Sequence, residues 1–163
     1  MNGAPTEGRA YKLGHYQNSL HVLTSKGYNA AMQKSTGQKI MVVDDYDDAR
    51  AILKRWLEEG GYNVIEATSG KEAVEMAERE RPELILMDLA LPEMDGFAAT
   101  REIRANEELR DVPIIGISAY GELGIDAQLK IDPKAVGFNA YLSKPFVPQV
   151  LLDLVVQYLP RSG

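Results

Sequence analysis

The sequence predicts an α/β fold: a doubly wound, five-stranded parallel sheet with helices on both faces. Three observations lead there. Between residues 39 and 160, short apolar and β-branched runs alternate five times with segments of helical periodicity. Two of those runs, LILMDL at 84–89 and PIIGISA at 113–119, are apolar on both faces, as strands inside a parallel sheet must be. Gly60-Gly61 and Pro82 stop the first two helical segments and return the chain to the sheet. With 163 residues, 45% hydrophobic and 26% charged, the chain lies in the globular range and is long enough to bury a self-sufficient core.

Each element has its own signal. KIMVV (39–43) is the first strand and ends at Asp44-Asp45. In DDARAILKRWLEEGG (47–61), Ala49, Ile52, Leu53, Trp56 and Leu57 recur at helical spacing and predict a buried stripe. Asp47 and Asp48 fall in the first turn of that helix, where acids complement the macrodipole. NVIEA (63–67) is the second strand. Ser69 followed by Glu72 forms a capping box that opens a helix through Ala73, Val74 and Ala77. LILMDL is the third strand, LPEMDG a loop with Asp95-Gly96 as its turn, and FAATREIRA a helix bearing Phe97 and Ile103. PIIGISA is the fourth strand. Gly121, Gly124 and Pro133 in the following stretch argue against one uninterrupted helix there. AYLSKP (140–145) is the fifth strand, and residues 147–159 form the last helix.

Charge divides the chain. Residues 1–39 carry Arg9, Lys12, Lys26, Lys34 and Lys39 against Glu7, a balance of +4, which leaves −10 for the rest. The organisation expected is a basic N-terminal extension (1–38), a globular body (39–160) and a short tail (161–163). An acidic body repels nucleic acid and argues against direct binding to it. The absence of cysteine excludes disulfides, thiolate nucleophiles and Cys-ligated metals. Both histidines, His15 and His21, lie in the extension, which argues against a multi-His centre in the body. No apolar run approaches 18 residues and no secretory leader opens the chain, so the expectation is a cytoplasmic protein without membrane insertion.

In a parallel sheet all strand C-termini point one way, and ligands gather there. Strand one ends at Asp44-Asp45, strand three at Asp88, strand four at Ser118 and strand five at Lys144. Carboxylates brought together repel: a pair ~4 Å apart costs roughly 4 kcal/mol at an effective dielectric near 20. Such a nest calls for a cation, and with only hard oxygen ligands that cation is Mg²⁺, with Mn²⁺ as substitute. An ion, a lysine ammonium, a hydroxyl and a carboxylate nucleophile make a phosphoryl-transfer toolkit. Asp88, ending the most buried strand, is the best-placed nucleophile.

With these residues in place the chain resembles the receiver domain of two-component response regulators, a flavodoxin-like, single-domain family. The matching residues are VVDD (Asp44, Asp45), Asp88 in LILMDLALPEMDG, Ser118 in PIIGISA, and Tyr141 with Lys144-Pro145 in AYLSKPF. The resemblance implies that Asp88 accepts a phosphoryl group from a histidine kinase or phosphotransfer protein. It implies that Asp45, Asp88 and the backbone carbonyl of Ala90 bind Mg²⁺ directly, with Asp44 acting through a metal-bound water. Lys144 would neutralise a phosphoryl oxygen, Lys144-Pro145 would be cis, and Ser118 with Tyr141 would form the switch that alters the surface read by a downstream protein partner. Ala90 and Tyr120 would flank the path of water to the acyl phosphate.

The protein is therefore expected to be a phosphoacceptor acting only on itself, not an enzyme. The rival readings are a receiver-shaped scaffold that works without phosphorylation, and a receiver module excised from a larger regulator or hybrid kinase. A stand-alone receiver is favoured, because only PRSG follows the last helix. A haloacid-dehalogenase-like phosphatase is disfavoured because Ala90 stands where that family needs a second acid. In the last helix Gln149, Asp153 and Gln157 form a narrow polar stripe, while apolar residues cover the rest. A helix on a sheet needs an apolar arc of only about 100° or more. The excess predicts homodimerisation through this helix, with docking of residues 1–39 as the alternative.

Overall fold

The protein is represented by a computed structural model that describes residues 37–119 and 136–160. The expectations for the basic extension up to residue 36, for Tyr120, for the glycine-rich stretch before residue 136 and for residues 161–163 lie outside the described residues.

Five strands, β1 (Lys39–Val43), β2 (Asn63–Ala67), β3 (Leu84–Asp88), β4 (Ile114–Ala119) and β5 (Ala140–Lys144), form one sheet in the order β2-β1-β3-β4-β5. Every neighbouring pair is parallel. The strand order reverses between β1 and β3, so the crevice of a doubly wound sheet opens above those two strand ends. All five residues of β3 are buried, which explains why its sequence is apolar on both faces.

Among the described residues, four α-helices cover the sheet: α1 (Asp47–Glu59), α2 (Gly70–Glu80), α3 (Gly96–Ala105) and α4 (Pro148–Tyr158). Met41, Val43, Ile85, Met87 and Ile114 meet Ala73 and Ala77 of α2 and Ala99 and Ile103 of α3 in one core layer. The alternate strand residues Ile40, Val42, Leu84, Leu86, Ile115 and Ile117 are buried on the other face. There α1 contributes Leu53 and Leu57, and α4 contributes Leu151, Leu152 and Val155.

Local signals mostly act where the sequence puts them, with instructive differences. Ser69 Oγ accepts from Glu72 N at 3.2 Å, but the Glu72 carboxylate closes on Thr68 rather than Ser69, taking its N–H and its hydroxyl at 2.7 Å each. α2 stops at Glu80 because Arg81 turns left-handed (φ 51°) before Pro82, donating its N–H to Ala77 O. Asp95 caps α3, its Oδ1 accepting from Ala98 N at 2.7 Å. Ile52, expected in the buried stripe, is 49% exposed, because the sheet takes only the Leu53–Leu57 side of α1. At α4 the apolar excess is visible as exposure of its N-cap Val147 (58%) and of Val156 (42%). Among the described residues no helix is long and apolar enough to cross a membrane.

Candidate functional site

The sheet register brings the chemistry-bearing residues to one rim. β1 ends opposite β3 at Val43 and Met87, β3 places Asp88 beside Ile117, and β4 places Ser118 and Ala119 beside Ser143 and Lys144. Lys144 reaches back across the crevice. Its Nζ donates to Asp44 Oδ2 at 2.9 Å and to Asp88 Oδ2 at 3.0 Å, with its side chain 31% exposed. The second oxygens are held by backbone: Tyr46 N donates to Asp44 Oδ1 and Ala90 N to Asp88 Oδ1, both at 2.9 Å. Asp44, Asp88 and Ser118 are buried, Asp45 is half-buried and Ala90 is exposed.

Two atoms of the rim stand without partners: Asp45 Oδ1 and Ser118 Oγ, both buried. A buried oxygen with no donor is costly, and at a ligand site it marks a place where something is to be bound. Asp44, Asp45 and Asp88 each offer a carboxylate oxygen, and the three oxygens lie within 4.8 Å of one another. That all-oxygen set, with one oxygen unengaged, fits a hard divalent cation such as Mg²⁺.

Electrostatics follows from burial. Burial pushes the Asp44 carboxyl above the usual range, and its bonds from Lys144 and from Tyr46 N–H offset this only partly. Burial also works to lower the proton affinity of Lys144, but its hydrogen bonds to Asp44 and Asp88 outweigh burial and hold it above the usual lysine value. Lys144 is thus a fixed positive charge between two acids.

Close backbone approach sets Asp88 in place. A Cβ at Gly96 would clash with the Asp88 carbonyl oxygen, so only glycine lets α3 press against that residue. The peptide bond Lys144-Pro145 is cis, as the resemblance implies. Tyr141 is half-buried on β5. A Cβ at Gly116 would come within 2.7 Å of its ring, and the ring lies 5.0 Å from that of Phe138. Gly116 and Ser118 are two residues apart on β4, so Tyr141 covers the sheet face that carries the Ser118 hydroxyl.

Sequence reasoning missed Arg50, whose guanidinium bonds the Asp44 carbonyl, and Gly116, whose missing side chain makes room for Tyr141. It also passed over Tyr46, which is 70% exposed immediately after the acid pair. The only sequence signal for Arg50 is its place three residues after Asp47 in the first turns of α1.

Comparison with known proteins agrees with this geometry. The family model described as response regulator receiver domain matches residues 40–156. The polar-differentiation response regulator DivK of Brucella ovis is 32% identical over 122 residues, covering 75% of this chain and 96% of its own. An uncharacterised 14.6 kDa protein of Leptolyngbya boryana is 41% identical over 128 residues, covering 78% and 94%. The receiver domain of a Pseudomonas aeruginosa sensor histidine kinase is 38% identical with a TM-score of 0.67, covering 75% of this chain and 97% of its own. That structure holds a magnesium ion coordinated in its active site cleft. The chemotaxis response regulator CheY4 of Vibrio cholerae is 30% identical with a TM-score of 0.68, covering 76% and 99%.

Proposed function

The chain belongs to the response regulator receiver family, and from that premise we propose that Asp88 is the residue that carries the phosphoryl group. The observation that supports this reading best is the single ammonium of Lys144 spanning Asp44 and Asp88 beside an acid with an unengaged oxygen. The donor is a phosphohistidine on a histidine kinase or phosphotransfer protein. An Asp88 carboxylate oxygen attacks phosphorus, the P–N bond breaks, and its electron pair returns to the imidazole nitrogen. Lys144 then meets a phosphoryl oxygen and offsets charge that would otherwise repel the nucleophile.

Asp45, Asp88 and the Ala90 carbonyl are the groups that would hold Mg²⁺, with Asp44 acting through a bound water. When bound, the ion neutralises carboxylate and phosphoryl charge together. The free Ser118 hydroxyl turns to the phosphoryl group, and Tyr141 follows over Gly116, altering the surface read by a downstream protein partner. Tyr46 and Val147, exposed beside the acid pair and soon after Lys144, offer apolar contact points for the donor protein. On this reading residues 39–160 are the receiver, 1–38 a basic extension and 161–163 a tail. The protein works in the cytoplasm, modifies only itself and pairs with a second copy through α4.

Incubation with acetyl phosphate and Mg²⁺, read by intact mass, tests the central step. One phosphoryl group is expected on the wild type and none on Asp88→Asn. Absence of any gain on the wild type would leave only the scaffold reading, and repeated turnover would indicate a phosphatase. Sedimentation of the full chain separates dimer from monomer.

A further inference from the structure

Arg50 lies outside the acid nest, yet every part of its guanidinium is engaged around it. Nη1 donates to the Asp44 backbone carbonyl at 2.9 Å, Nη2 to Asp47 Oδ1 at 2.6 Å and Nε to Glu66 Oε1 at 3.3 Å. The side chain is 12% exposed. Glu66 lies on β2 in register with Val42 of β1, and Lys54 fixes its other oxygen at 2.6 Å. One residue therefore ties the loop after β1 to α1 and to the neighbouring strand.

The bond to the Asp44 carbonyl matters because of what it does to the next residue. A peptide unit is planar, so fixing the direction of the Asp44 C=O fixes the plane that leads into Asp45. On the far side of Asp45, Tyr46 N is held by Asp44 Oδ1 and Tyr46 O by Arg50 N at 3.0 Å. Asp45 is bracketed by two restrained peptide units. Its own buried Oδ1 has no hydrogen-bond partner, so the backbone is left to aim that oxygen. A lysine could not substitute, since its donors sit on one nitrogen while these three acceptors are met by three separate guanidinium nitrogens.

We propose that Arg50 is a positioning residue for cation binding: it locks the Asp44–Asp45 peptide and so holds the Asp45 carboxylate toward the other two acids. The inference rests on reading that nest as the Mg²⁺ site. Groups that orient metal ligands from behind typically change affinity 10- to 100-fold when removed.

The test is a Mg²⁺ titration of the full chain followed by amide NMR shifts of the rim residues, each variant first checked for folding by circular dichroism. Arg50→Gln is expected to weaken Mg²⁺ binding about tenfold or more, and Arg50→Lys, which keeps the charge and loses the fork, by nearly as much. Should Arg50→Gln not fold, Arg50→Lys alone decides. In an Asp45→Asn background the Arg50 substitution is expected to add less than a twofold loss, because Arg50 acts through Asp45. Arg104→Gln, at the other end of the sheet, is expected to lower stability while leaving Mg²⁺ affinity within twofold. The inference is overturned if Arg50 variants bind Mg²⁺ within twofold of the wild type, if their full loss persists in the Asp45→Asn background, or if Arg104→Gln weakens binding equally. A wild type that binds no Mg²⁺ overturns the underlying reading as well, which distinguishes that failure from the others.

Discussion

The two ends of the sheet treat polar groups in opposite ways. At the N-terminal ends of the strands, Arg104 spends its donors on the carbonyls of Leu109, Val112 and Gly137 and on Asn139 Oδ1, at 2.7–3.1 Å. Asn139 Oδ1 also accepts from Ile114 N at 2.8 Å, and Lys39 Nζ lies 2.8 Å from Glu80 O. These cations close carbonyls that no ladder or helix satisfies. At the C-terminal ends, one lysine is stretched between two buried acids, a third acid has an unengaged oxygen and a serine hydroxyl is unpaired. The first end is built for stability. The second, on the proposed reading, gives up stability to keep atoms available for an ion and a phosphoryl group.

The largest expected effect comes from removing the lysine that bridges the two buried acids. Lys144→Met leaves Asp44 and Asp88 buried without their counter-charge, and the chain without added Mg²⁺ is expected to lose about 3 kcal/mol in urea melts. Phosphoryl uptake from acetyl phosphate is expected to fall about 10²–10³-fold, measured by intact mass over time. The pH dependence has a defined sign. Because Lys144 is held above its ordinary value of 10.5, its stabilisation is present below 10.5 and is lost as pH rises through the higher folded value. The variant should lack that alkaline loss. Asp44 has the same sign in a lower pH range: with its carboxyl raised from the ordinary 3.8, the folded state loses stability as pH climbs through that raised value.

At the opposite end, Arg104→Ala orphans several buried carbonyls at once and is expected to cost about 2 kcal/mol by urea melt. Phosphoryl uptake should stay at the wild-type rate; a large drop would show that the two ends are not independent. Smaller still is Asp45→Asn. It removes a charge that meets no partner on its buried oxygen, and stability without Mg²⁺ is expected to rise by about 1 kcal/mol while Mg²⁺ binding weakens but stays measurable. A site residue whose removal stabilises the fold is the clearest mark of the difference between the ends.

How much of this was legible in the sequence depends on the range of the contact. β1 and β2 coincide with KIMVV and NVIEA, since β-branched runs between turn residues encode strands locally. The meeting of Asp44, Asp45, Asp88 and Lys144 was readable because parallel topology sends every strand end to one rim, whatever the sequence distance. The Arg50 fork was not readable. Only its bond to Asp47 has helical spacing; the other partners are a backbone carbonyl six residues back and a glutamate on β2, which no periodicity encodes. Ile52 shows the limit from another side: spacing tells which residues share a helix face, but the partner sheet decides how wide the buried arc is. Tyr141 was singled out from its motif, but its packing against Gly116 is a contact across two strands that the motif does not encode.

The smallest expected effect lies at the start of α2, beside the rim but outside it. Glu72 takes the N–H and hydroxyl of Thr68, and these bonds, the backbone one first, hold its carboxyl below the usual range. A lowered acid contributes stability above its unfolded value near 4.5, and the contribution is lost as pH falls through the folded value. Because the carboxylate is largely solvated, screening leaves only about 0.5 kcal/mol for Glu72→Gln, readable as a slightly lower urea midpoint than the wild type at pH 7, a gap that closes as pH falls through the folded value. Thr68 directly follows Ala67, whose carbonyl accepts the Asp44 N–H at 3.2 Å, so the cap lies one residue from the nest. The substitution should nevertheless leave Mg²⁺ affinity unchanged, because Asp44 keeps its bonds to Arg50, Lys144 and Tyr46 when the cap frays. A change in Mg²⁺ affinity beyond twofold would mean that the rim depends on β2 as well as on Arg50, and the contrast between the two ends would have to be redrawn around that strand.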